Sequence, residues 1–290
     1  MPIRTMKPAL PFEVSEFENL LRKPNSDPTG FAGYFNSGEV WAARVPARLD
    51  VMGGIADYSG ANVCETVLGH GMLMAVQART DRTLRIRSAQ VGPRSLPVET
   101  RIPLDYFRSG DAVGNYAQIR ELCHANPISS WAAYIVGSIF TLLKEESIEL
   151  PYGFSFLLMS AVPMNVGIGS SAAVEIGTLS CLNAYLGLRL DGARIARLGQ
   201  MAENHVVGAP CGIMDQIAVA SGRETNSPIS SAAPAPSLAR WISRRTPASL
   251  ASTPWSAIPW RAMRMAMSAS ARSWASASSM KSAPVPAAPR

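Results

Sequence analysis

The feature that most limits what this chain can fold into is a break in composition near residue 225. From Asn226 to Arg290 there are eight Lys/Arg and no Asp or Glu. Removing these from the totals of 27 and 21 leaves 19 basic and 21 acidic residues before the break. The formal charge of +6 therefore belongs to the tail, and residues 1–225 carry about −2. The tail is mostly Ser, Ala, Pro and Arg and holds four of the six tryptophans: Trp241, Trp255, Trp260 and Trp274. It shows no sustained period of 2 or 3.6, no helix caps and no apolar face. Such a segment is expected to bury too little surface to offset its chain entropy. Three readings stand: a basic arm that stacks nucleic acid on its tryptophans, a disordered native extension, or an out-of-frame translation of GC-rich DNA. The third is favoured, because a good globular pattern stops in mid-element near Gly222–Glu224. Nucleic acid is accordingly not expected as a partner.

The first 225 residues read as mixed strands and helices, an α+β class with a mixed sheet packed against helices. Glu13–Lys23 reads as a helix, Val40–Val45 and Leu84–Ser88 as strands. Ser129–Lys144 reads as a long apolar helix, with Trp131, Ile135 and Ile139 at helical spacing. Phe154–Ala161 reads as a strand and Ser170–Leu186 as a second long helix with Gly187 as its stop. Asp191 is placed to cap a third helix running through Asn204. The division expected is 1–34 as an N-terminal extension, 35–224 as the folded domain and 225–290 as the tail. The longest apolar run, Trp131 to Leu143, is shorter than the roughly 18–20 residues of a membrane span. The first twenty residues have no apolar signal core. Cys64, Cys123, Cys181 and Cys211 are widely spaced, with no CxxC pair. Reduced thiols in a cytoplasmic protein are expected.

Three stretches carry chemistry. Pro163-Met-Asn-Val-Gly-Ile-Gly-Ser-Ser-Ala-Ala173 follows an apolar strand and opens a helix. Its glycines let backbone approach a ligand, and the free N–H groups of a helix start favour an anion. Ser170 and Ser171 add hydroxyls able to cap the helix, bind phosphate or touch Mg²⁺. No Gly-Lys-Ser/Thr follows, so this is not the P-loop pattern; an ordinary glycine turn stays open as an alternative. In the second stretch Glu203 and Asp215 lie on either side of a Gly208-Ala-Pro-Cys-Gly212 turn. Two carboxylates beside a phosphate would serve as metal ligand and general base; without that context the reading as two surface acids wins. In the third, Arg44–Gly60, Arg48, Asp50 and Asp57 sit among apolar residues and glycines. Charges there are costly unless paired or functional, and a structural Arg–Asp pair in a turn-rich segment is the alternative.

Together the stretches resemble the GHMP kinase family, galactokinases in particular. Pro46–Tyr58 is similar to the family's Pro-Gly-Arg-Val-Asn-Leu-Ile-Gly-Glu-His-Thr-Asp-Tyr segment, and Gly167–Ala172 to its Gly-Leu-Ser/Gly-Ser-Ser-Ala loop. Cys211–Gln216 stands as its intact Cys-Gly-Ile-Met-Asp-Gln. The resemblance covers roughly 35–224 and lacks the family's third, C-terminal motif. It implies an ATP- and Mg²⁺-dependent kinase acting on a monosaccharide at its anomeric hydroxyl. By the match Asp215 is the base and Arg48 lies beside it. Gly167, Ile168, Gly169, Ser170, Ser171 and Ala172 hold the ATP phosphates, and Ser171 and Glu203 hold the metal. Asp57 and Gly212, with Arg48 and Asp215, contact the sugar.

Where galactokinases carry Glu-His-Thr this chain has Gly54-Ile55-Ala56, removing partners for the outer hydroxyls of a hexose. That departure, and the likeness to the L-arabinokinase branch, points to L-arabinose over a galactose-like hexose. A GHMP site lies between two domains, so weak or no turnover is expected of these 290 residues. A sugar sensor without turnover and an inactive fragment are the competing readings. The sequence sets no oligomeric state. His70, His124 and His205 form no cluster, and structural or surface roles are expected of them.

Overall fold

The computed structural model describes residues 34–36, 38–59, 63–88, 99–109, 112–125, 131–162 and 167–222, the helical positions Phe17 and Leu21, and the strand Leu238–Ile242. Strand β1 spans Glu39–Met52, and the five-residue helix α1 spans Ile55–Ser59. Strands β2 (Cys64–Ala78), β3 (Thr83–Ser88) and β4 (Glu99–Pro103) follow. A small hairpin, β5 (Arg108–Ser109) and β6 (Ala112–Val113), leads to helices α2 (Tyr116–His124) and α3 (Ala133–Glu145). Then come β7 (Phe154–Ser160), α4 (Ser170–Leu186), α5 (Gly192–Ala202), a π-turn at Glu203–Val207 and α6 (Met214–Ser221). Strand β8 is Leu238–Ile242.

Successive strand residues face opposite sides of a sheet, so one strand can feed two apolar layers. Along β1, Ala43, Val45 and Ala47 enter the main core, while Val40 and Ala42 enter a smaller cluster on the other face. Along β2, Met72, Met74 and Val76 enter the main core, and Leu73 and Ala75 the smaller one. Phe17 and Tyr34 close that smaller cluster. A register slip of one residue would exchange the two sets, so the register is fixed by burial. The sheet order is β4-β3-β7-β2-β1-β8. Only β3 and β7 pair in parallel; the other neighbours are antiparallel. This is the mixed sheet with helices that the sequence implies.

Helix α4 lies directly on β1 and β2, with α3, α5 and α6 around it. Its residues are apolar or small except for Glu175, Asn183 and Tyr185, which suits a helix buried nearly all round, and eleven of its residues are buried. Gly187 ends it in the left-handed conformation, with Leu188 N–H bonded back to Asn183 O at 3.0 Å. Asp191 caps α5 by accepting the Arg194 N–H at 2.8 Å. Among the largest buried side chains are Phe140, Phe154 and Phe156, and removing one ring should cost about 3–5 kcal/mol.

Several expectations need correction. Ser170 and Ser171 do not cap α4; the N-cap is Gly169, left-handed at φ 74° and with no side-chain cap. The Arg44–Gly60 stretch is less turn-rich than expected, because β1 runs on to Met52. Strand β2 was not expected, since Gly69, His70 and Gly71 break its alternation. The third helix ends at Ala202 in a π-turn. The tail was expected to hold no regular element, yet Leu238–Ile242 pairs antiparallel with Glu39–Ala43. The outer edge of β1 offers unpaired backbone groups, a template that a short extended segment can complete. The expected helix 13–23 lies outside the described residues except at Phe17 and Leu21, and so does the rest of the tail.

Candidate active site

Arg48 stands where the pairing of β1 with β2 shifts register, between Pro46 and Arg48. Such an irregularity re-aims a side chain. Its guanidinium is nearly buried and forms a fork with Asp215: Nε donates to Oδ1 at 2.8 Å and Nη2 to Oδ2. Nη1 donates to Gly167 O at 2.6 Å, and the Arg48 backbone N–H donates to Ile168 O at 3.1 Å. One residue thus ties the glycine loop to the start of α6. Burial works against the Arg48 cation, and Asp215 outweighs it, so its pKa lies above the ordinary value.

The glycine loop and the start of α4 form an open cradle. Gly167 and Gly169 hold φ of 75° and 74°, a region that L side chains avoid. A Cβ at Gly169 would also stand 2.8 Å from Arg48 Cγ, whereas one at Gly167 would meet nothing. The first helical hydrogen bond is Ala173 N–H to Gly169 O at 3.0 Å. The N–H groups of Ser170, Ser171 and Ala172 therefore stand outside the helical ladder. No acid occupies the first turn of α4. A phosphate chain fits a surface of this kind.

Glu203 is buried where α5 passes into the π-turn, a geometry common at functional positions. Its Oε2 accepts from Gln216 Nε2 at 2.7 Å and from Cys211 Sγ at 3.4 Å. The Ser171 hydroxyl lies near enough to favour its charged form. Burial raises the Glu203 pKa, and the contacts with Cys211, Ser171 and Gln216 pull it back. Glu203 and Ser171 thus meet between α5 and α4 and present hard oxygen atoms suited to Mg²⁺. Among the described residues no three His, Cys, Asp or Glu gather as a metal site. An ion here would complete its shell with phosphate and water, as Mg²⁺ usually does.

Asp57, on α1, is buried, and its Oδ2 accepts the Met214 N–H at 3.1 Å. Burial pushes its pKa up, and the backbone N–H groups of Met214 and Ile213 oppose that. Its Oδ1 is a buried oxygen with no partner, the kind of acceptor that a ligand hydroxyl can satisfy. The Cys211 backbone is clamped by Asn204, with N–H to Oδ1 at 2.8 Å and Nδ2 to O at 3.3 Å. Burial, with Glu203 and Glu175 nearby, pushes the Cys211 thiol far up, away from the thiolate form in which cysteine reacts.

The structure therefore gathers Arg48, Gly167–Ala172, Glu203, Gly212 and Asp215 with Asp57 in one region. Sequence reasoning missed Glu65, Glu175 and the role of Gln216. Gln216 bridges Glu203 and Glu175, donating to Glu175 Oε2 at 3.0 Å. Glu65 and Glu175 are each the one acid of their element, and a single acid sets no spacing to read. His205 packs on the Tyr116 ring and His124 bonds Val207 O, the structural roles expected of them. All four cysteines are free thiols. Beside the site, Leu49, Val51, Met52 and Ile55 are exposed. No helix among the described residues is long and apolar enough to cross a membrane.

Residues 133–223 match the family of GHMP kinases N terminal domains, and over these residues the chain carries that domain. The L-arabinokinase of Arabidopsis thaliana is 38% identical over 212 residues, which is 66% of this chain and 20% of that protein. The galactokinase of Streptomyces coelicolor is 38% identical over 181 residues, 62% of this chain and 41% of that protein. The fold is shared with Lactococcus lactis galactokinase solved with galactose: the TM-score is 0.56 at 21% identity, covering 83% of this chain and 51% of that one. The chain thus spans between a fifth and about half the length of the proteins it matches.

Proposed function

We propose that this chain contributes to ATP- and Mg²⁺-dependent phosphorylation of a monosaccharide at its anomeric hydroxyl, with L-arabinose preferred over D-galactose. One observation carries the reading: the Arg48 fork joins Asp215 to Gly167 O of the cradle. A proton acceptor and a phosphate-binding loop are thereby held in fixed relation by one buried cation. Asp215 accepts the proton of the attacking hydroxyl, a contribution on the order of 10²–10⁴ in rate for a positioned base. Arg48 orients that carboxylate and sets positive charge beside the transferred group. The α4 N–H groups hold the phosphates, and Asp57 Oδ1 and the Gly212 backbone receive sugar hydroxyls. Ser171 and Glu203 would hold Mg²⁺, which offsets phosphate charge when bound.

The test is ³¹P NMR of the 290-residue chain with ATP, Mg²⁺ and either sugar, with D215N as control. A sugar 1-phosphate signal that forms slowly, faster with L-arabinose and not with D215N, supports the proposal. Failure to bind either sugar, or product formation indifferent to D215N, overturns it.

A further inference from the structure

Glu65 has no place in the reading above, yet its side chain is only 5% exposed and lies at the centre of the site. It sits on β2 directly across from Asp50 on β1. Its Oε1 is 3.3 Å from Arg48 Nε, the nitrogen that also serves Asp215 Oδ1. Both Glu65 carboxyl oxygens are buried without a hydrogen-bond donor, and Glu65 Oε1 and Asp215 Oδ1, from β2 and α6, meet at the same Arg48 Nε. The groups facing it are therefore Arg48 and Asp50 from β1 and Asp215 from α6. Three carboxyls around one guanidinium leave a deficit of positive charge in a place where water is scarce. Like charges directly across a strand pair are unfavourable, and neighbouring buried carboxyls relieve the conflict by keeping a proton.

We propose that Glu65 is a positioning residue that keeps its proton and donates it as a hydrogen bond to Asp215. The single proton of the pair then sits on Glu65, and Asp215 remains the ionised acceptor held by the Arg48 fork. Deprotonating Glu65 adds a second carboxylate competing for Arg48 Nε and loosens that fork. Phosphate bound in the neighbouring cradle adds negative charge and so favours the neutral Glu65 further. Burial, reinforced by the Asp215 charge and opposed by Arg48, raises the Glu65 pKa far above the carboxylate range.

The test is ¹³C NMR of the full chain carrying glutamate labelled at the side-chain carboxyl. The Glu65 signal is identified by its loss in E65Q. It should titrate well above the ordinary value of about 4.3. In D215N its midpoint should fall by about one unit or more, because a charged neighbour has been replaced by a neutral one. D215S gives the same readout if D215N does not fold. Titration in the ordinary range, or a midpoint unmoved by loss of the Asp215 charge, overturns the inference. The inference rests on the kinase reading only for its consequence. The signals are read without ATP or sugar, so coupled titration in a chain that transfers nothing refutes that reading alone. Where transfer is measurable, kcat/KM should decline as pH rises through the Glu65 midpoint, and E65Q should lack that decline.

Discussion

The Asp57 carboxylate occupies the space that a Cβ at Gly212 would need. The same carboxylate receives the Met214 N–H at the start of α6. The glycine thus lets α1 dock against the turn that carries Asp215. G212A should push Asp57 off its donors and cost roughly 1–3 kcal/mol in chemical denaturation. D57A alone should also destabilise. In the double variant the clash is gone, so the combined loss should be smaller than the two losses added. Strictly additive losses would refute the direct link.

A second prediction concerns the Arg48 fork. Lysine carries one point charge on a flexible stem and cannot serve both Asp215 oxygens and Gly167 O at once. R48K should keep the fold and lower phosphoryl transfer at least tenfold. R48A should also lose stability, because Asp215 and Glu65 then face each other without a cation. Asp215 is 24% exposed, which limits that loss to about 1–2 kcal/mol after solvent screening. Thermal unfolding of the three proteins side by side gives the order wild type, R48K, R48A.

A third concerns pH. Glu175 is fully buried, and burial, with the Glu203 charge, raises its pKa well above the ordinary 4.5. The folded state therefore binds this proton more tightly than the unfolded chain. Its stabilising contribution is complete below pH 4.5 and is lost as pH rises toward the folded value, with a slope of up to about 1.4 kcal/mol per unit. E175Q keeps an oxygen to accept from Gln216 and cannot ionise. Its unfolding midpoint should fall less steeply between pH 5 and 9 than that of the wild type. Glu65 contributes with the same sign, so some slope should remain in E175Q and diminish further when E65Q is added. Parallel curves for wild type and E175Q would refute the assignment.

The elements legible in the sequence were those with one dominant signal. Helix α4 has the bounds expected, because Ser170 follows a glycine loop and Gly187 supplies a left-handed end. Asp191 caps α5 as its spacing implies. The Gly-Ile-Gly-Ser-Ser loop, Arg48, Glu203 and Asp215 were legible as motifs, though only the fold shows that one guanidinium joins Asp215 to the loop. Strand β2 was not legible, because its first half is only partly buried, with Gly69 and His70 exposed, and lacks a clean alternation. Glu65 and Glu175 were passed over for a related reason. An isolated acid gives no pattern, and its meaning comes from neighbours 167, 150 and 28 to 41 positions away that only packing supplies: Arg48 with Asp215, Glu65 with Asp215, and Glu175 with Glu203 and Gln216.

The last prediction concerns the sugar. Gly54 and Ile55 stand where galactokinases carry a Glu and a His, and here both face solvent, with Ile55 84% exposed. Gly54 has φ of 51°, and a Cβ there would meet nothing. Space therefore does not forbid a glutamate, but the backbone does: a left-handed L residue costs roughly 1–2 kcal/mol. G54E should lose about that much stability and gain little hexose affinity. Ile55 opens α1 without such a constraint, so I55H can present a polar ring at little cost to the fold. One added hydrogen bond to an outer hydroxyl is worth on the order of 1 kcal/mol, about fivefold in affinity. Saturation-transfer NMR with L-arabinose and D-galactose should show the pentose preference proposed for the wild type narrowed by about that factor in I55H. An unchanged ratio would place the hexose-reading contacts away from residues 54–56 and remove the structural ground for a pentose.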